Sequence, residues 1–318
     1  MNYSILREGW IERFLEWANA NEDIRAVILV GSLARTVGEL ADEWSDVDLL
    51  FITTKPKAYS RNNAWMKEIH PFWAGVLPPD ETFGGLLPVH CGFSAYEGGV
   101  VAEYFILPST RTKLVLPLIQ LLNSVPSLRR WSPESITELG ADVGEILRNG
   151  AKVILDKDGL AKRLVETTLA VPIRPPAPPS RVKFQNTVDD FWIGPPKIVA
   201  DLQRRKLMSA MKTLELTRRD LLKMIKWHAR AKEGWKGDDL VFRPTRIEAW
   251  ADSRVNEMLP RLYAVYNAEE IREALFAMMD LFPWLAAETA EMLGYPCDFA
   301  GEQIIIWVRE CFSEYSKS

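Results

Sequence analysis

Apolar side chains recur every three or four residues from Ile5 through Trp10, Ile11, Phe14 and Leu15 to Ala18. That spacing lays them along one face of a helix. Residues 24–30, IRAVILV, are continuously apolar after Arg25 and rich in β-branched side chains, which reads as a buried strand. Gly31-Ser32 closes it, and a small, polar loop leads to a second strand over 46–53, DVDLLFIT. A helix is expected over 57–69. Two further β-rich runs, 90–96 and 100–107, flank Glu97-Gly98-Gly99, the mark of an antiparallel hairpin.

Ser132-Pro133-Glu134 reads as a helix start, with Ser as the cap and Pro in the first helical position, and Gly150 as its end. A short strand is expected at 153–155 and a helix over 160–170. Residues 171–179, VPIRPPAPP, then hold five prolines in nine positions. Such density favours stiff, extended polyproline geometry, the property of a linker. Beyond it the periodicity is helical, through Leu202, Leu207, Met211, Leu214, Leu221, Leu222, Ile225 and Trp227, then over 256–266, 268–281 and 285–293. The pattern predicts an α+β protein: a domain of strands and helices over 1–170, a Pro-rich linker over 171–183, and a helical domain over 184–318.

Composition narrows the function. A chain of 318 residues with 47% hydrophobic and 26% charged positions can bury two cores. Its net charge of −4 gives no global positive field, which argues against a nucleic-acid coat protein. Three scattered cysteines, Cys91, Cys297 and Cys311, make neither a disulfide framework nor a zinc motif. Only three histidines, His70, His90 and His228, are available for a zinc centre or a Ser-His-Asp triad. No run approaches the ~20 apolar residues of a membrane span and no signal peptide is visible, so a cytoplasmic protein is expected. The charge is uneven. Residues 201–236 hold 11 Lys/Arg against 4 Asp/Glu, a net of +7, and 237–318 hold 7 against 15, a net of −8. Both runs read as solvated helix faces, or as surfaces for a triphosphate and for a cation respectively.

One constellation carries chemistry. Asp46 and Asp48, two apart on a strand, share a face. Carboxylates that close repel unless a cation lies between them, and Mg²⁺ bridging to phosphates is such a cation. Gly31 allows a close backbone approach and Ser32 offers a hydroxyl and an N–H to phosphate oxygens. Val101, Glu103 and Phe105 share one face of their strand, and beside 46–53 Glu103 would complete a cluster of three carboxylates, a clamp for two-metal phosphoryl or nucleotidyl transfer. Asp-x-Asp alone is more often a solvated strand start, and Glu103 alone could face water on an edge. The ordered combination in strand context is what points to function.

The segment over 30–51, VGSLARTVGELADEWSDVDLLF, resembles the signature of the nucleotidyltransferase superfamily of the DNA polymerase β type. Within it the chain is most similar to the aminoglycoside 6-adenylyltransferases, the streptomycin-modifying group. The similarity rests on the long gap with Trp44-Ser45 before Asp46, on EGGVVAEYFILP at 97–108 with Glu103 in place of an Asp, and on VILDKDG at 153–159. It continues in the helical domain, where Asp189-Asp190-Phe191-Trp192 and the 221–227 segment LLKMIKW stand at family patterns. The family's Lys after Phe-Trp falls at Ala200, with Lys197 one turn earlier, and Gly194-Pro195-Pro196 is expected to interrupt the helix.

The resemblance implies an N-terminal nucleotidyltransferase domain built on a mixed, twisted sheet flanked by helices, followed by a helical bundle. It implies AMP transfer from ATP to a hydroxyl of an aminoglycoside, with two Mg²⁺ ions on Asp46, Asp48 and Glu103, and with Glu103 as ligand or general base. Gly31, Ser32, Arg35, Lys197 and Arg204 would hold the nucleotide. Asp189 and Asp190 would meet the polycationic acceptor, or else occupy the first turn of a helix. Trp192 would stack on a sugar, or lie in the core, while Trp227, Trp250, His228 and Cys91 read as packing residues. Acceptors other than an aminoglycoside (a lincosamide, another metabolite, a protein hydroxyl) and an inactive nucleotide-binding relative are the alternatives. Neither nucleic acid nor membrane is an expected partner, and a monomer is expected.

Overall fold

The structure is a computed structural model that describes residues 3–37, 40–125, 127–128, 134–172, 177–236, 244–296 and 301–315. The chain forms two compact units, Met1–Arg174 and Pro175–Ser318.

The first unit runs α1 (Tyr3–Ala20), β1 (Ile24–Val30), a 3-10 turn (Gly31–Ala34), β2 (Val47–Thr53), α2 (Pro56–Ser60), α3 (Met66–Ile69), β3 (Phe72–Val76), β4 (Glu81–Phe83), β5 (Leu87–Tyr96), β6 (Val101–Pro108), α4 (Ser109–Ser124), α5 (Glu134–Arg148), β7 (Ala151–Asp156) and α6 (Leu160–Leu169). The strands make a twisted, open mixed sheet in the order β3-β5-β6-β2-β1-β7, with β4 paired to β5. Among the described strand pairs only β2 and β6 run parallel. Strand alternation sends Val27, Leu29, Leu49, Phe51, Ala102, Tyr104 and Ile106 to one face, where Trp10 and Phe14 of α1 and Trp65 of the α2–α3 connection cover them. Ala26, Ile28, Val30, Leu50, Ile52 and Leu107 go to the other, under Leu116, Val143 and Leu164 of α4, α5 and α6. Burying each of the Val, Leu, Ile and Phe side chains among them stabilises the sheet by roughly 1.5–3 kcal/mol. Asp48 and Glu103 alternate with the first set, so they lie on the α4–α6 face.

The second unit is helical, with α7 (Arg181–Gln203), α8 (Leu207–Lys232), α9 (Ile247–Trp250), α10 (Ser253–Met258), α11 (Ala268–Leu293) and α12 (Gly301–Tyr315). Ser180 caps α7 by accepting the Lys183 N–H. At the centre of this core Phe191 and Phe282 stack 3.6 Å apart, with Trp192 edge-on to both.

Five expectations need correction. The helix over 57–69 is two short helices, because Asn62 Oδ1 accepts the Ala64 N–H and Asn63 donates to the Gly75 carbonyl, which competes with helical bonding. The helix over 256–266 ends early, as α10 and a 3-10 turn (Leu259–Leu262). The helices over 268–281 and 285–293 are one, α11, with Pro283 inside it. Gly194-Pro195-Pro196 does not interrupt α7, which passes through it. Prolines remove helical N–H donors, but here Gly194 and Pro195 are buried and tertiary packing holds the helix. The linker expected over 171–183 gives way to α7 at Arg181, and residues 173–176 of it lie outside the described residues, as do Cys297 and the helix start at Ser132-Pro133. Among the described residues no helix is long and apolar enough to cross a membrane.

Candidate active site

Val47 and Leu49 are fully buried and anchor β2. The residues between and before them are left at the mouth of the sheet. Asp48 is half-buried, and Asp46, in the position just before β2, is exposed. Register places Asp48 between two partners. On one side it pairs with Val30, the last residue of β1, and on the other with Glu103 of parallel β6. The chain turns sharply at Gly31, whose φ is +72°. A Cβ there would collide with Oδ2 of Asp48, so Gly31 is required by the carboxylate as well as by the turn. Ser32 follows within the same turn, half-buried. The sequence therefore brings Gly31, Ser32, Asp46, Asp48 and Glu103 to one end of three neighbouring strands.

Among the described residues no three His, Cys, Asp or Glu side chains converge as a ready-made metal cage. The expected cluster of three carboxylates is thus a set of adjacent donors and not a closed site. Like charges repel, and neighbouring carboxylates do not close on one point unaided. Burial, and then the charge of Asp46, push the Glu103 carboxyl above its ordinary value. Both causes disfavour the anion, and a hard divalent cation shared with phosphate oxygens would offset them, so the all-oxygen donor set fits such an ion. The negative field reaches further. Burial, Glu81, Glu103 and Asp80, in that order, push the Cys91 thiol up to about 11. This makes Cys91 a half-buried strand residue with no thiolate character.

Two braces behind the site have no counterpart in the sequence reading. Gly31 N–H donates to the Gly150 carbonyl at 3.1 Å, and Gly150, at φ +122°, has backbone from the Gly31–Arg35 stretch where a Cβ would stand. Arg35 donates from Nε to the Asn149 carbonyl at 2.8 Å and from Nη2 to Asn149 Oδ1. The structure so commits Arg35 to the end of α5, where it braces the Gly-Ser turn. The only local signal was Asn149-Gly150 at a helix end. The second brace is Arg7 of α1, 7% exposed. Its Nη1 donates to the carbonyls of Asp42 and Ser45, each at 2.9 Å, and reaches that of Glu43 at 3.5 Å. Nothing in the sequence separates Arg7 from the polar face of an ordinary helix.

In the helical unit, Asp189, Asp190, Lys197 and Arg204 are all exposed. Asp190, Lys197 and Arg204 are seven apart and so share one face of α7 and its cap. Asp189 accepts from Gln185 at 2.9 Å. Neither Asp lies in the first turn of α7, so the dipole-capping alternative falls. Trp192 is corrected: at 5% exposure, packed edge-on against Phe191 and Phe282, it has no ring face for a sugar. His228 is buried and bonded to Glu288 at 2.8 Å, a packing role as expected.

The chain as a whole is similar to known proteins. A family model described as streptomycin adenylyltransferase matches residues 7–82 and 131–309. The matched stretches include the Gly-Ser turn and both aspartates; the hairpin with Glu103 lies between them. The aminoglycoside 6-adenylyltransferase of Bacillus subtilis (strain 168) is 26% identical over 290 residues, 89% of each chain. That of Campylobacter jejuni is 23% identical over 302 residues, 92% of this chain and 91% of its own. The crystal structure of an aminoglycoside 6-adenyltransferase from Bacillus subtilis aligns over 95% of this chain and 97% of its own, with 18% identity and a TM-score of 0.40. With most of its length matched by the family model, the chain belongs to the streptomycin adenylyltransferase family and is a nucleotidyltransferase enzyme.

Proposed function

We propose that the enzyme transfers AMP from ATP to a hydroxyl of an aminoglycoside of the streptomycin type, releasing pyrophosphate in a Mg²⁺-dependent reaction. The observation that carries this is the position of Asp48, in register with Glu103 on one side and against the Gly31 turn on the other. Residues 1–170 perform the chemistry, and 184–318 help to hold acceptor and nucleotide. Asp46, Asp48 and Glu103 would hold two Mg²⁺ ions, which supply neutralisation of the triphosphate and polarisation of the α-phosphorus. Ser32 and the backbone of the Gly31 turn bind the outer phosphates. Glu103 either completes the metal site or, left free of a metal, takes the acceptor's hydroxyl proton, a task that burial and the charge of Asp46 favour by raising its affinity for protons. The acceptor oxygen bonds to the α-phosphorus as the bond to the β-phosphate oxygen breaks, and pyrophosphate leaves with that electron pair.

A polycationic acceptor suits the negative field that Asp80, Glu81 and Glu103 impose on the open sheet face. Asp189 and Asp190 are the candidates for its recognition on α7, and Lys197 and Arg204 for the triphosphate. The test is pyrophosphate release from ATP with Mg²⁺ across a panel of aminoglycosides. Release is expected with streptomycin, and Asp48→Asn should reduce it by about 100-fold or more. Mg²⁺-dependent ATP binding with no release across the panel would move the assignment to another acceptor.

A further inference from the structure

We infer that Arg7 is a positioning residue for Asp46, and that it sets the nucleotide site from the first helix of the first unit. The inference rests on the nucleotidyl-transfer reading of Asp46 and Asp48.

Arg7 lies in the second turn of α1, and its side chain is nearly removed from solvent. A buried guanidinium is costly unless its donors are satisfied. Its Nη1 is met by backbone carbonyls of one loop, those of Asp42, Ser45 and, at the limit of range, Glu43, while its buried Nε has no hydrogen-bond partner among the described residues. Among the described residues it bonds no carboxylate. The Ser45 carbonyl belongs to the peptide plane that carries the Asp46 N–H, and that plane is rigid. Fixing the carbonyl therefore fixes where Asp46 begins. On its other side Asp46 is followed by Val47, which is fully buried. Arg7 and the core thus pin an exposed carboxylate from both flanks.

The loop also holds itself in shape. Asp42 Oδ1 accepts the Trp44 N–H and the Ser45 hydroxyl, each at 2.9 Å, and the Asp42 N–H donates back to Ser45 Oγ at 3.0 Å. Trp44 stacks on Tyr3 of α1 at 5.6 Å, and the Tyr3 hydroxyl donates to the Gly99 carbonyl in the β5–β6 turn, four residues before Glu103. One helix end thereby ties the approach to Asp46 to the hairpin of Glu103. Arg7 is the member with a charge, and three carbonyls facing one cation form a joint that a neutral side chain cannot reproduce.

The experiment compares wild type with Arg7→Met, which keeps the stem and loses the donors, and Arg7→Lys, which keeps the charge with a different geometry. Two quantities are read on the full chain: calorimetric affinity for Mg²⁺–ATP without acceptor, and hydrogen exchange at the amides of Trp44 and Ser45 in the free protein. Arg7→Met is expected to weaken Mg²⁺–ATP binding by about tenfold and to speed exchange of the loop, with Arg7→Lys between the two. In turnover the loss should appear as a higher KM for ATP and a higher Mg²⁺ requirement, with the acceptor KM unchanged. Where Arg7→Met does not fold, Arg7→Lys carries the comparison on the same criteria. A folded variant that melts earlier yet binds Mg²⁺–ATP within about twofold of wild type would assign Arg7 to stability alone and overturn the inference. Failure of the wild type itself to bind Mg²⁺–ATP would overturn the nucleotide reading, and the role of Arg7 with it.

Discussion

A methyl group on Gly31 has nowhere to go. The backbone there is left-handed, at φ +72°, and the Asp48 carboxylate occupies the Cβ position. Gly85 isolates one of these effects, since its φ is +67° but nothing lies within 4 Å of an added Cβ. Gly85→Ala should therefore cost only the conformational strain, about 1 kcal/mol by denaturant unfolding, with turnover retained. Gly31→Ala adds the displacement of Asp48, and kcat/KM for adenylyl transfer should fall by about 100-fold even where the protein stays folded. Equal effects of the two substitutions on turnover would show that Asp48 does not need its place. At this scale the sequence was generous, because a Gly-Ser ending one strand and an Asp-x-Asp opening the next are local features. Arg7, Asn149 and Gly150 were not legible as parts of the site, because their contacts span 35 to 119 positions and are made by backbone groups that every residue shares.

Helix α7 shows how an element can contradict its own composition. Gly and two prolines at 194–196 argue for a break, yet the helix runs through them. Thr217 of α8 explains the glycine: a Cβ on Gly194 would collide with its Oγ1. Close approach of α7 and α8 thus takes precedence over local propensity. Gly194→Ala should lower stability by about 2 kcal/mol or more despite the better helix propensity of Ala, and Gly194→Ala combined with Thr217→Ala should recover part of that loss. Thermal unfolding of the single and double variants checks this, and additive losses would refute the steric account. The strands β1, β2, β5 and β6 were readable because their apolar runs match buried sheet positions, 7 to 10 residues long. β3 and β4 were not, since they are short, largely exposed, and lack alternation. The same reasoning explains 57–69, where the asparagines override an apolar period that looks helical.

The split of charge between 201–236 and 237–318 takes on a different meaning in the folded molecule. Part of it is neutralised within the helical unit, where Lys232 meets Asp252 at 2.6 Å, and in the same unit Glu288 bonds His228 at 2.8 Å. Glu288 is the more informative of these acids. Its Oε2 bonds buried His228, whose ring lies 4.9 Å from that of Trp284, and its Oε1 accepts from Trp284 Nε1 at 2.6 Å. The bond to His228 first, and that to Trp284 among the lesser causes, hold the Glu288 carboxyl below its ordinary value. A carboxylate lowered in the folded state takes up its proton more readily when unfolded. Its stabilisation is therefore complete above the ordinary carboxylate range and is lost as pH falls through the lowered value. Asp252, lowered by Lys232 and by the Arg254 N–H, acts in the same direction. The melting temperature should accordingly fall on acidification from about pH 5 to pH 3. Glu288→Gln keeps an acceptor for the His228 ring without the titration. Its melting temperature should lie below that of wild type at pH 7 and approach it at pH 3. A constant gap between the two curves across that range would mean that Glu288 stabilises by packing alone, and that its ionisation carries no pH-dependent share of the fold.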